Sequence, residues 1–271
     1  MKTSLRLIKY LGAIVISFIL MTIIPSQIVQ HLNFSNPYII QCVYLLAIIV
    51  ILTATIVIFG EKKVFAFSLK SFKDTFVIGG VMTAITVFYF VTGIYKSINE
   101  YGTPLMDGKT IVLFLVGTFL GAGIREELLT RGVWLTFFRK AFGNSKASYI
   151  VAMSLSSIAF GALHISNLNG TIDPTPIYAQ IIYAIGIGFF LAALYLRTGN
   201  LWGNMVLHYL FDISLMIKPM IYENRSDLGV LIGEWLGSGI ILKSILISVV
   251  SVVIGLYLIR GDKFKEIAEA E

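Results

Sequence analysis

The chain has 271 residues, of which 57% are hydrophobic and 13% charged, and its mean hydropathy is +0.86. A water-soluble domain carries about 25% charged residues, so an ordinary soluble globule is excluded. The net charge of +6 does not mark a nucleic-acid binder, because the lysines and arginines stand at the ends of apolar runs rather than in one patch.

Apolar runs of about 18 or more residues, the length needed to cross a bilayer as a helix, recur along the whole chain. They lack the period-two alternation of barrel strands, and only helices or closed barrels satisfy their backbone polar groups in lipid. The expected fold class is therefore all-α: a polytopic transmembrane bundle of about eight helices. In chain order the expected spans are 8–24, 38–59, 75–95, 110–138, 147–164, 177–196, 201–217 and 240–259.

The first span follows Lys2, Arg6 and Lys9, as a secretory signal would. It ends in Pro25, Ser26 and Gln27 without a small-x-small cleavage site, so it is expected to remain as the first helix. Between the second and third spans, residues 61–74 mix Val64, Phe65, Phe67, Leu69 and Phe72 with lysines. They read either as an amphipathic stretch on the cytoplasmic leaflet or as an ordinary basic loop. Three parts are expected: 1–100 with the first three helices, 101–220 as a catalytic core of helices four to seven, and 221–271 with the last helix and a tail. The single cysteine, Cys42, lies in an apolar run and can form no intramolecular disulfide.

The cations set an orientation. With the N-terminus cytoplasmic, the inner segments hold Lys2, Arg6, Lys9, Lys62, Lys63, Lys70, Lys73, Arg139, Lys140, Lys146, Arg197, Arg260, Lys263 and Lys265. The outer segments hold Lys96, Lys109, Lys218, Arg225 and Lys243. That excess predicts cytoplasmic N- and C-termini.

The fourth span carries Arg125, Glu126, Glu127 and Arg131. Each charge at mid-bilayer costs about 2.5–3.5 kcal/mol, together roughly 10 kcal/mol before any pairing. Glu127 and Arg131 are four residues apart in the favourable order for an ion pair on one face, whereas Glu126 points about 100° away. One carboxylate is thus expected to be held while its neighbour stays available. Gly117 and Gly121 form a small-xxx-small pair, with Gly123 next to them, and are expected to let a neighbouring helix approach.

Two of the three histidines fall in apolar spans: His164 ends the fifth and His208 lies in the seventh. His208 has Asn204 one turn before it and Asp212 one turn after, so three polar groups share a face. His31 falls in the first outer loop and is expected to be solvated, without a role. Acids and imidazoles on three helices converge only inside a bundle. Interhelical bonding alone is worth about 0.6 kcal/mol per contact, too little to offset these charges. A proton relay or transporter remains open, as does a catalytic site. Counted from the expected cytoplasmic ends, Glu126 lies about 18 Å deep, His208 about 10 Å and His164 about 26 Å, depths that do not coincide.

The run from Glu126 and Glu127 to Arg131 resembles the EExxxR motif of the type II CAAX prenyl endopeptidases and their bacterial relatives, the CPBP or Abi family. Phe160 to His164 resembles that family's FxxxH motif, and His208 to Asp212 its HxxxN/D motif. The three occur in the family's order and cover about Gly121 to Asp212. The resemblance implies a glutamate-dependent, metal-free intramembrane endopeptidase. Glu126 and His164 would then activate the attacking water, His208 and Asp212 would stabilise the oxyanion, and Glu127 and Arg131 would support the site. Many members have Asn where this chain has Asp212, and an ionised Asp only accepts hydrogen bonds. Asp212 is therefore expected to be protonated or to orient His208, with Asn204 as a substitute donor. No cofactor is expected; zinc held by a glutamate and two histidines is the runner-up, although the HExxH helix is absent.

The expected function is cleavage of a membrane-bound or lipidated protein or peptide near the cytoplasmic face of a cell membrane, with the compact length pointing to a bacterial plasma membrane. The partners are that substrate and the bilayer, and no nucleic acid. The alternatives are a non-catalytic immunity protein or signalling scaffold, since bacterial relatives are linked to bacteriocin immunity, and a proton-coupled transporter.

Overall fold

A computed structural model describes residues 3–32, 34–169, 173–223, 225 and 227–269. Helices account for all the regular structure among them, and no strand is present. The helices are α1 (Thr3–His31), α2 (Pro37–Ile58), α3 (Leu69–Ile78), α4 (Gly80–Tyr101), α5 (Gly108–Thr118) and α6 (Thr136–Phe142). They continue as α7 (Lys146–Leu163), α8 (Thr175–Thr198), α9 (Leu201–Met216), α10 (Leu228–Leu236), α11 (Ile240–Leu258) and α12 (Gly261–Glu269).

Seven helices among the described residues are long and apolar enough to cross a membrane. The eighth expected span is also present, as one helical run over 108–142, but it changes its winding. Between α5 and α6 it is π-helical over Phe119–Arg125 and again over Leu128–Leu135. The third span is displaced: it runs over 80–101, and residues 75–78 belong to α3. The short helices α10 and α12 were not expected. Each has a polar start and one apolar face, a pattern too short to read as a span.

Residues 61–74 stay largely on the surface, with Phe67 and Leu69 exposed, but they are not a plain loop. Their 3-10 turn (Lys62–Phe65) and α3 cover the start of α9. The Asn200 amide caps α9 and donates to Ser71 Oγ at 2.9 Å. A Cβ on Gly203 would stand 2.4 Å from Thr75 Oγ1, so the two helices touch through the missing side chain. Asn200 and Leu201 are fully buried. The start of α9 therefore lies beneath protein, and depth counted from it as if it were a membrane face understates the position of His208. That accounts for the shallow depth expected of His208.

The tightest helix pair is α8 with α11. A Cβ on Gly186 would meet Ser248 Cα at 2.2 Å, and one on Gly255 would meet Phe189 Cδ1 at 2.8 Å. Without a hydrophobic force between helices in lipid, such close backbone packing holds the bundle together. The second half of α8 is sealed inside, with Leu191, Ala192, Ala193 and Leu194 all at 0% exposure.

Candidate active site

Glu126 and Glu127 occupy the two-residue α-helical link between the two π-helical segments. A π-helical turn breaks the regular spacing of side chains and is common where a helix carries chemistry. Here the two neighbouring carboxylates have opposite environments: Glu127 is completely buried, while Glu126 reaches a cavity at 15% exposure.

Glu127 is held from three sides. Its Oε1 accepts from Arg131 Nη1 at 2.9 Å and from His208 Nδ1 at 2.8 Å. Its Oε2 accepts from the Asn204 amide at 3.4 Å. Arg131 also donates to the Gly188 carbonyl at 3.0 Å and to Thr130 Oγ1, while its Nε has no partner. A buried charge pair is tolerable when most of its remaining donors and acceptors are bonded in this way.

Because an ionised carboxylate only accepts, the hydrogen on His208 sits on Nδ1, and Nε2 is left facing the cavity. Nε2 stands 4.0 Å from Glu126 Oε2 and 3.9 Å from Asp212 Oδ2. The same argument applies to His164. Its Nδ1 lies 3.0 Å from the Phe160 carbonyl, which can only accept, so Nδ1 carries the hydrogen and Nε2 is free to take a proton. Phe160 separates the two imidazoles, edge-on to His164 at 5.1 Å and to His208 at 5.9 Å between ring centroids. The Arg131 guanidinium stacks over the Phe160 ring at 5.4 Å.

Glu126, His164, His208 and Asp212 all line one cavity of about 420 Å³. The four residues named as catalytic from the sequence are thus brought together from three separate helical runs. A second cavity of about 370 Å³ shares Tyr183, Phe211 and Asp212 with the first. Over both lies α10, whose Trp235 packs edge-on against Tyr183 at 5.3 Å and Phe211 at 6.3 Å.

Two expectations need correction. Asn204 is no substitute donor at the Asp212 position: it is fully buried, and its amide bonds the Leu191 carbonyl at 2.8 Å as well as Glu127. Gly117 and Gly121 are not where a neighbouring backbone comes close, since added Cβ atoms would find ordinary contacts at 3.8 Å and 3.6 Å. Gly123 is, with the Met205 carbonyl only 3.0 Å from its would-be Cβ, so this glycine admits α9 to the site. Arg125, to which the sequence assigned no role, is a further residue of the site. It pairs with Glu126 at the cavity wall. His31 is exposed at the end of α1, as expected.

Residues 108–214 match the family model described as type II CAAX prenyl endopeptidase Rce1-like. This is the family the three motifs resemble. The match takes in every site residue above and spans less than half of the chain. No curated protein and no solved structure matches the chain. The Rce1-like segment supplies Glu126, His164 and His208 together with the Glu127–Arg131 pair behind them. Helices α1 to α4 and α10 to α12 enclose that segment from outside it.

Among the described residues no group of three His, Cys, Asp or Glu side chains is placed to hold a metal ion. His208 has one ring nitrogen committed to Glu127, and His164 has one committed to Phe160.

Proposed function

We propose that the chain is an intramembrane endopeptidase in which Glu126 and His164 activate a water to cut a peptide bond in a membrane-associated protein or peptide. One observation carries this reading: Glu126, His164, His208 and Asp212 line a single cavity, while Glu127 is locked behind them. Glu126 offers a carboxylate at the cavity wall, and a second base with a free Nε2 stands on the same cavity.

In the proposed reaction Glu126 takes a proton from water as the oxygen attacks the scissile carbonyl carbon. The carbonyl π bond breaks and its oxygen becomes an oxyanion. Donors held in a water-poor pocket stabilise such an oxyanion by several kcal/mol. A His208 ring carrying both protons donates from Nε2, and Asp212 orients that ring rather than donating. The C–N bond then breaks as the oxyanion re-forms the carbonyl, with the abstracted proton passing to the leaving amine through His164 or Glu126, leaving a new carboxylic acid and a new amine. Arg125 keeps the Glu126 carboxylate at the wall of the cavity. Glu127, through the Nδ1 hydrogen of His208, fixes which nitrogen of that ring faces substrate.

The test compares membrane-derived peptides released by cells making the wild type with those from Glu126→Ala and His164→Ala. Both variants are expected to insert normally and to release none of the wild-type products; full cleavage by either one overturns the assignment. Activity is expected to survive exhaustive chelation, and its loss with recovery on adding zinc would favour the metal mechanism instead.

A further inference from the structure

The cavity lies at one end of the bundle. Tyr38 comes from the first turn of α2, Phe114 from the early part of the 108–142 run and Gln180 from the second turn of α8. His164 follows the last residue of α7, Met220 closes the α9 run and Leu231 lies in α10. With alternating helix directions, all six positions belong to the end that carries the connections after α1, α4, α7 and α9.

Towards the opposite end the site is closed off: a separate cavity of about 360 Å³ there, lined by Glu61, Arg139 and Tyr195 among others, shares no residue with it. Val133, Leu135 and Phe137, together with Leu191 to Leu194 and Leu201, are all at 0% exposure. There α12 folds back, pairing Glu266 with Arg197 at 3.0 Å and packing Phe264 edge-on to Tyr149 at 5.1 Å. This sealed end holds the described start of α1, the turn over 62–65 and α12, and with them the cations of Arg6 and Lys9, Lys62 and Lys63, Arg139 and Lys140, and Lys263 and Lys265. The cavity end has Lys96, Lys109, Lys218, Arg225 and Lys243.

Connections rich in Lys and Arg stay on the cytoplasmic side. The sequence expectations of cytoplasmic termini and of cutting near the cytoplasmic face thus exclude each other in this fold, because the cavity opens opposite the termini. We infer that the cavity faces away from the cytoplasm and takes its substrate from the extracytoplasmic side. The substrate is then a polypeptide segment exposed at the outer face, such as a translocated peptide or the outward end of a membrane protein. The word substrate here rests on the protease reading above; the direction of the opening does not.

Single-cysteine labelling reads the direction without reference to catalysis. In a Cys42→Ala background, Thr103→Cys marks the connection at the cavity end, Gln41→Cys the cavity wall and Asn144→Cys the sealed end; all three positions are exposed. With a membrane-impermeant maleimide on intact cells, Thr103→Cys and Gln41→Cys are expected to label as fully as in permeabilised cells. Asn144→Cys is expected to label only after permeabilisation. The reverse pattern overturns the inference, and so does a Gln41→Cys that stays blocked while Thr103→Cys reacts. Peptide release from the same cells separates the two claims: a wild type that labels in the expected pattern but releases no more peptides than Glu126→Ala would sink the protease reading alone. Where peptides are released, their cut sites are expected in segments outside the cytoplasm, and cut sites confined to cytoplasmic segments overturn the inference.

Discussion

The 108–142 run is two different helices in one. Its first half contacts a cavity, contains Gly117, Gly121 and Gly123, and has half-buried side chains. Its second half, from Leu128 to Phe137, is buried throughout, and Arg131 there is only 1% exposed. Glu126 and Glu127 sit at the change. A lipid-embedded protein can carry charges only where they are paired or reach water, and the two residues use one solution each. Glu127 is neutralised in a packed wall and stabilises the bundle. Glu126 is left at the water-accessible side, where a base can react. The contrast between sealed end and open end is therefore also a division between stability and chemistry.

That division can be broken residue by residue. The largest effect is expected for Glu127→Ala, which strands a buried Arg131 and releases His208. It should cost roughly 3–5 kcal/mol of stability and abolish cleavage, measured by thermal unfolding in detergent and by peptide release. Glu126→Gln should instead leave unfolding within about 1 kcal/mol of wild type, since its partner Arg125 is partly exposed. Its activity should nevertheless fall by about 10²–10⁴-fold, the usual contribution of a general base. Equal stability losses in the two variants would show that the carboxylates are not divided in this way.

A smaller effect sharpens the contrast between sealed and open packing. Gly186→Val places a side chain against the Ser248 backbone and should destabilise by about 1–3 kcal/mol. Gly121→Ala on the open half meets only Leu45 Cδ1 at 3.6 Å and should stay within about 0.5 kcal/mol. Comparable losses in both would mean that the cavity-side half is as tightly packed as the sealed half.

The smallest effect concerns the rim. Arg225 bridges Glu223 and Glu234, tying α10 to the end of the α9 run. Burial raises the Glu223 carboxyl, but the Tyr101 hydroxyl and the Arg225 guanidinium outweigh it and hold the group below the ordinary carboxylate range. A depressed carboxylate contributes stability above its unfolded value and loses it as pH falls through the folded one. Arg225→Gln should therefore cost at most about 1 kcal/mol at neutral pH, with the difference from wild type shrinking in acid. A difference that grows on acidification would remove Glu223 from the latch.

The sequence by itself determined the fold class, because so few charges over so many apolar residues leave no other solution in lipid. It also picked out the residues of the candidate site, since Glu126, Glu127, Arg131, His164, His208 and Asp212 stand out against that background at helical spacing. Tertiary structure alone decided what surrounds them. The π-helical winding that turns Arg125 to Glu126 depends on neighbours packed through Gly123. The burial of Asn204 behind Glu127 depends on α8, and the depth of His208 depends on a segment of the chain 61–78 residues from the N-terminus covering α9. Which end the cavity opens to was equally out of reach, because local periodicity records the face of a helix that is buried and not the height at which its neighbours leave a gap.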